Sequence, residues 1–450
     1  MRPKTLMFVG LFATGGLVLA GCRGIQTPGE RQARQDFGAV AGQYRPANRP
    51  ALPELTPDSS LSNYLAFALL NSPTVEAAYY DWAASVENIT VARSLPDPQI
   101  TFQADIMDIV SSVMPGFLQQ FPGPGKLKAR ARVAVTESGG KYFAFESAVL
   151  QASFNLKRAY YRLGLLDEQL RLKRETLALL ENQERAVRAQ TATGMAALSG
   201  SLRAQSELDR ARTDIASLED SRRPMQENFK AALGLTPPQP APPAPAHFES
   251  SGENPDADEL LRFALEHNPQ LAAMAAEVRA AEAGIAVAYK ERVPDFSLGL
   301  MADVKTSPTM FRPLAGMTLP IWRDKLAAEI AQAKANELAA KSRLKAAQID
   351  LAVSFAEKSF AYRETSRTLA LIENELLPKA RQSVETIRAG YRTGTMDFSA
   401  MTGADRTVLD LQLEAVQART DREIALAELS LMVAGVPPAN APLLSNTHQP

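Results

Sequence analysis

LAFALLNSPTVE at residues 65–76 returns as LRFALEHNPQLA at 261–272, so that Pro73 and Pro269 stand 196 residues apart. PDPQITFQADI at 96–106 returns as PDFSLGLMADV at 294–304, an offset of 198. Gly194 and Gly394 each follow a threonine in a helical frame and lie 200 apart. The two halves close alike, on Gly-Leu-Thr-Pro-Pro at 234–238 and Gly-Val-Pro-Pro at 435–438. A nearly constant offset means that one structural unit was duplicated with few residues gained or lost. Solenoid repeats have periods of about 20–50 residues. A unit this long is a domain-sized half that pairs with its copy.

The start of the chain points to export. Arg2 and Lys4 precede an apolar run, Leu6 to Leu19, of signal-peptide length and too short to span a bilayer comfortably. The run ends in Leu19-Ala20-Gly21-Cys22, small residues before a cysteine, as a lipoprotein signal peptidase requires. Residues 1–21 are therefore expected to be a lipoprotein signal peptide and Cys22 the lipidation site, carrying palmitate-type acyl chains. Cys22 is the single cysteine of 450 residues, which rules out a disulfide within the chain. Arg23 follows it, where an aspartate would favour retention in the inner membrane, so the outer membrane is the expected location.

Lys and Arg number 49 and Asp and Glu 50, a net charge of −1 that gives nucleic acid no electrostatic footing. Hydrophobic residues make up 46% and aromatics only 7%, so Ala and Leu carry the apolar share, as in long helices. After residue 22 no run of 18 apolar residues occurs. If the mature chain spans a membrane, it does so by strands.

Polar residues 22–56 read as an extended N-terminal tether, and 437–450 as a C-terminal tail. Proline-rich residues 236–256 read as a linker between a first repeat, 57–235, and a second, 257–436. Each repeat opens with a helix, about 57–93 and 256–292. Two polar–apolar alternating segments follow, joined by a turn and ending at Pro122 or Pro320. A very long helix comes next, about 126–190 and 324–390, on the order of 100 Å at 1.5 Å per residue. A turn at Gly194 or Gly394 leads into a last helix of roughly 35 residues. In the second long helix Phe355, Tyr362, Leu369 and Leu376 recur every seven residues, with Leu351 and Ile372 at the complementary step. Ala380, Val384, Ile387 and Tyr391 continue this coiled-coil seam. The expected fold is mostly α with a small β part, a duplicated helix-strand-strand-helix-helix unit.

The alternating segments carry the membrane argument. Gln99, Thr101, Gln103 and Asp105 share one face of their strand, and Ile100, Phe102, Ala104 and Ile106 the other. Phe296, Leu298, Leu300 and Ala302 likewise oppose Ser297, Gly299, Met301 and Asp303. One apolar and one polar face suit a barrel strand, with Gln103, Asp105 and Asp303 towards a wet lumen. Two strands per half give four per chain, too few for a barrel, whose minimum is about eight. An open edge is not tolerated in lipid, so several chains must share one barrel, and a trimer supplies about twelve strands.

In their order, duplication and spacing these segments resemble the TolC-like outer-membrane efflux protein family over residues 57–436. The resemblance rests on Asn71-Ser72-Pro73 and Asn268-Pro269, the Pro-Asp strands, and QQFPGPGKL at 119–127. It rests also on TATGMAALSGSLRAQ at 191–205 and YRTGTMDFSAMTGAD at 391–405. It implies a homotrimer with a shared 12-stranded transmembrane β-barrel in the outer membrane and a trimeric α-helical barrel in the periplasm, anchored through Cys22. The implied partners are outer-membrane lipid, a periplasmic adaptor (membrane fusion) protein and a proton-driven inner-membrane pump. The implied adaptor-docking tips are Gly194, Met195, Ala196 and Leu198 in the first repeat, and Gly394, Thr395, Met396 and Asp397 in the second. The family's acidic gate positions, six and nine residues past the second tip glycine, are here Ala400 and Gly403, so the chain departs from that gate.

No nucleophile–base pair, phosphate loop or paired-histidine motif occurs, and 3 His, one Cys and unclustered Met give no metal-ligand spacing. The sequence reads as no enzyme, without cofactor or metal. The expected function is a passive exit duct of a tripartite efflux system, conducting small molecules or metal ions from periplasm to exterior. A type I protein-secretion conduit of the same fold is the alternative in cargo. A periplasmic coiled-coil adaptor or scaffold lipoprotein is the alternative in class, and it expects β-rich domains flanking a single helical hairpin.

Overall fold

The structure is a computed structural model that describes residues 25–44, 51–106, 110–194, 197–243, 245 and 257–433. The expected signal peptide, Cys22, Met195, Ala196, most of the interrepeat linker and the C-terminal tail lie outside these residues.

The elements run in the predicted order, with three differences. Within the expected tether lies a helix, α1, Pro28–Tyr44. Its start is capped by Thr27: Pro28 is the first helical residue and the Glu30 N–H donates to Thr27 Oγ1 at 3.1 Å. The expected opening helix of each repeat is two helices, α2 (Leu61–Asn71) and α3 (Pro73–Arg93), then α6 (Ala257–His267) and α7 (Pro269–Lys290). A residue before proline is driven out of the helical region, and Ser72 accordingly sits at φ −71°, ψ 117°. Strands β1 (Gln99–Ile106) and β2 (Val110–Phe121) precede α4 (Lys126–Ala192) and α5 (Leu198–Ala232). Strands β3 (Phe296–Asp303) and β4 (Met310–Met317) precede α8 (Arg323–Leu371), a π turn (Ile372–Leu376), α9 (Leu377–Arg392) and α10 (Phe398–Val433).

The π turn is the third difference. Phe355, Tyr362 and Leu369 are buried seven apart and Ile372 is buried at the complementary step, as the seam predicts, but Leu377 rather than Leu376 takes the next place in the seven-residue row, followed by Val384. A π turn takes up one extra residue and resets the phase. Pro378, lacking an N–H, follows it. Tyr391, placed in the seam by sequence, is 43% exposed.

The chain divides into two compact units. One comprises, among described residues, 25–39, 82–140 and 276–341. It contains a single antiparallel sheet in the order β1-β2-β3-β4. Gln99 pairs with Leu118 and Phe102 with Pro115; their duplicates Ser297 and Leu300 pair with Gly316 and Pro313. The two hairpins thus share one register at an offset of 198. Gly116 to Phe121 of β2 pair with Met301 to Phe296 of β3, so the repeats join strand to strand. A coiled-coil adaptor would keep its β domains apart from the hairpin; here the strands of both halves merge into one sheet.

The other unit comprises 40–81, 141–275 and 342–433. Its helices bury the same cluster twice. Ala68, Leu156, Leu163, Phe229 and Leu233 in the first repeat correspond to Ala264, Phe355, Tyr362, Leu429 and Val433 in the second. Asn71 and Asn268, the asparagines of the repeated motif, each pin the last helix of their repeat. Asn71 Nδ2 donates to the Leu233 carbonyl at 3.0 Å and Asn268 Nδ2 to the Met432 carbonyl at 2.9 Å.

Candidate functional site: the sheet, its junction and the helix turns

Alternation along the strands sorts the sheet into two faces. Ile100 and Phe102, at 89% and 70% exposure, lie beside Phe117, Leu298 and Leu300, all exposed. Five large exposed apolar side chains on one face of the sheet make an apolar surface. On the opposite face stand Thr101, Gln103, Asp105, Ser112 and Asp303. Asp105 accepts from Ser112 Oγ at 3.0 Å, and Asp303, 2% exposed, accepts from the Lys305 N–H at 3.1 Å with Arg312 at 3.9 Å. Gln103, Asp105 and Asp303 therefore share one face. Met114 and Met301 lie among them, both buried, so that face is mixed rather than uniformly polar.

Just outside the sheet, Lys126 closes the junction between repeats. It is 3% exposed and its Nζ reaches Glu291 Oε2 at 3.0 Å and Asp295 Oδ1 at 2.9 Å. The Gly123 N–H donates to Asp295 Oδ1 at 2.7 Å. Burial opposes a charge on Lys126, but the two carboxylates outweigh it and hold the ammonium above its ordinary range. Burial also raises Asp295, and the Gly123 amide and Lys126 more than reverse this, holding it below the usual carboxylate range. The sequence reading missed this junction, although the Pro-Asp motif and QQFPGPGKL supply its residues.

A second buried charge was missed with α1. Glu30, with no exposed surface, accepts from Arg93, from Thr90 Oγ1 at 2.8 Å and from Arg34 Nε at 3.3 Å. Arg34 also forks onto Glu87 at 2.7 and 2.8 Å. The signal for it was Thr27-Pro28-Gly29-Glu30, a helix start.

The turns after the long helices repeat in atomic detail. Gly194 and Gly394 both adopt φ +76°. Their N–H groups donate to Thr191 O and Tyr391 O, each at 3.1 Å, while Thr193 and Thr393 Oγ1 donate to the carbonyls of Gln190 and Gly390, each at 3.0 Å. Such αL turns end a helix, and glycine adopts them without a Cβ penalty. Beyond the glycine the turns differ. Asp397 Oδ1 accepts from the Ala400 N–H at 2.7 Å and caps α10, whereas α5 starts at Ala197 with no side-chain cap. Thr395 Oγ1 donates back to Gly390 O at 3.1 Å. Leu198 and Met396 are exposed, at 66% and 46%. Ala400 and Gly403 lie in the first turns of α10.

Among the described residues no helix is long and apolar enough to cross a membrane, and no three His, Cys, Asp or Glu side chains gather as metal ligands. A small antiparallel sheet with an exposed apolar face, its strands followed in sequence by long helices and the whole duplicated, defines a channel-forming subunit. Solved structures share this fold. The outer membrane protein VceC of Vibrio cholerae matches at 16% identity and a TM-score of 0.68, over 83% of this chain and 96% of that one. The CmeC outer membrane channel of Campylobacter jejuni matches at 13% identity and 0.70, over 85% and 88%. The open state of the MtrE outer membrane channel of Neisseria gonorrhoeae matches at 16% identity and 0.70, over 86% and 97%. No curated protein matches the chain. The model of the outer membrane efflux protein family matches residues 65–235 and 260–435, and the chain belongs to that family. It is an outer-membrane efflux channel protein.

Proposed function

We propose that three copies of this chain form the exit duct of a tripartite efflux assembly. Their sheets make one twelve-stranded barrel in the outer membrane, Cys22 carries a lipid, and a periplasmic adaptor docks at the Gly194 and Gly394 turns. Conduction is passive and the energy comes from a proton-driven pump in the inner membrane. Gln103, Asp105 and Asp303 line the wet side of the barrel. The observation that carries this reading is the sheet. Its apolar face, from Ile100 to Leu300, is exposed, and among the described residues its edges β1 and β4 are unpaired, so one chain cannot satisfy it in lipid.

Purified protein added to a planar bilayer is expected to open ohmic channels without nucleotide. Leu300→Arg places a charge on the lipid face and should cost about 2–4 kcal/mol, with insertion largely lost. Gln103→Arg faces the lumen and should leave insertion intact while shifting selectivity towards anions. Equal loss from both variants, or no conductance by the wild type, contradicts the reading.

A further inference from the structure

The duplication makes one half a template for what the other half lacks. Where the first repeat meets the second, Phe121 and Pro122 are half-buried and Gly123 and Lys126 are buried. In the corresponding stretch after β4 Pro320 is half-buried like Pro122, but its neighbours are open, with Leu319 60%, Ile321 65% and Trp322 72% exposed. Every residue of β4 is exposed, whereas in its copy, Ser112–Gln119 of β2, only Pro115 and Phe117 are. The approach to β3 shows the converse. Val293, Pro294 and Asp295 are half-buried, while their copies before β1, Leu95, Pro96 and Asp97, are exposed. What covers the end of the first repeat is the beginning of the second. What fits the end of the second is therefore the beginning of another first repeat. Within one chain that beginning is β1, at the far edge of the same four-stranded sheet, and four strands cannot close on themselves. The occupant is a second copy.

We infer that β4 pairs head-to-tail with β1 of a second copy in the register that joins β2 to β3, locked by an ion pair from Lys325 to the partner's Asp97. This rests on the trimeric-barrel reading and goes beyond it by fixing which residues meet. Both hairpins share the 198 offset, so the register transfers directly. Gly116 opposite Met301 becomes Leu314 opposite the partner's Gln103. Phe117 opposite Leu300 becomes Ala315 opposite the partner's Phe102, which carries the apolar face across the seam without a break. Lys126-Leu127 returns as Lys325-Leu326, one residue later than the strands at the offset of 199 that the long helices share, and Asp295 as Asp97 at 198. Lys126 holds Asp295 at 2.9 Å, buried. Lys325 is 70% exposed and reaches only Glu329 of its own helix, at 3.7 Å, while Asp97 has no ion pair among the described residues. At the copy of Glu291 stands Arg93, already engaged by Glu30. A head-to-tail contact of this kind generates a ring when its rotation closes.

Cysteine pairs in the full chain test the register. Directly opposed antiparallel residues lie about 4.5–5.5 Å apart at Cα, within disulfide reach, while a two-residue slip is not. Leu314→Cys with Gln103→Cys should convert the trimer to a covalent trimer on oxidation, and Leu314→Cys with Asp105→Cys should not. A trimer that cross-links through Asp105→Cys or Thr101→Cys instead overturns the register and leaves the trimeric reading standing; a chain that forms no oligomer overturns both. Lys325→Glu and Asp97→Lys should each lower the temperature at which the trimer dissociates, and together should restore it. Single variants that dissociate like wild type, or a double variant as weak as either, overturn the ion pair.

Discussion

Glu30 has no exposed surface and sits against two arginines, Arg93 and Arg34. Burial alone would raise its pKa, but the hydrogen bonds from Arg93, Thr90 and Arg34 prevail and hold it below the usual carboxylate range; Glu87, bonded to Arg34, is held low as well. A depressed carboxylate contributes stability that is full above its unfolded value and is lost as pH falls through the folded one. The docking of α1 on α3 should therefore be firm at neutral pH and loosen in acid, below the ordinary Glu range. Glu30→Ala should cost about 3–5 kcal/mol of local stability, because it strands Arg93 at 12% side-chain exposure. Hydrogen exchange of the α1 amides, corrected for intrinsic rates, checks this. Wild type should lose protection on acidification, and the variant should lack it already at neutral pH. Residue-scale geometry also restricts the face opposite Ile100 and Leu300. Gly299 lies on it, yet a Cβ there would stand 2.6 Å from the Phe117 carbonyl, so position 299 admits no side chain, whereas Gln103 on the same face is exposed.

At the scale of elements, the two helix turns are the place to separate torsion from bulk. Nothing lies within 4 Å of a Cβ built on Gly394, so Gly394→Ala pays only for φ +76°, about 1–2 kcal/mol. Met396→Trp leaves the backbone alone and adds volume at an exposed position. If an adaptor docks here, Met396→Trp should abolish efflux-dependent resistance with a normal heat-stable trimer, and Gly394→Ala should reduce it mildly. Normal resistance in Met396→Trp would remove the turn as a coupling site, and loss of trimer in both would make it purely structural. These turns were legible because a threonine–glycine pair recurs at a fixed offset. The strands and the division of their faces were legible because alternation is a two-residue code that puts Ile100 and Leu300 on one face and Gln103 and Asp303 on the other. The π turn was not legible. A seven-residue count selects Leu376, and only packing shows that the seam passes to Leu377. Helix α1 was passed over because Gly, Gln and Arg dominate its composition; its start signal spans four residues, and its burial depends on Arg93, some sixty residues away. The break at Ser72 follows from Pro73 alone and was available to the sequence reading.

At the scale of the molecule, duplication does most of the organising. Two hairpins of one register lie side by side in a single sheet, and two copies of one helical cluster bury equivalent residues. What duplication leaves unsatisfied is the apolar face and the two outer edges of the sheet, and a bilayer shared by three copies satisfies both. The central claim is that this face meets lipid while the other meets water. A nitroxide scan of β3, one label at a time from Phe296 to Asp303 with Gly299 left out, in the membrane-inserted protein, measures it. Oxygen accessibility should peak at Phe296, Leu298 and Leu300, and accessibility to a water-soluble nickel chelate at Ser297 and Met301, the two alternating out of phase. Equal accessibility to the chelate at every position, with no period of two, would show that the sheet does not stand in the membrane and would contradict the account.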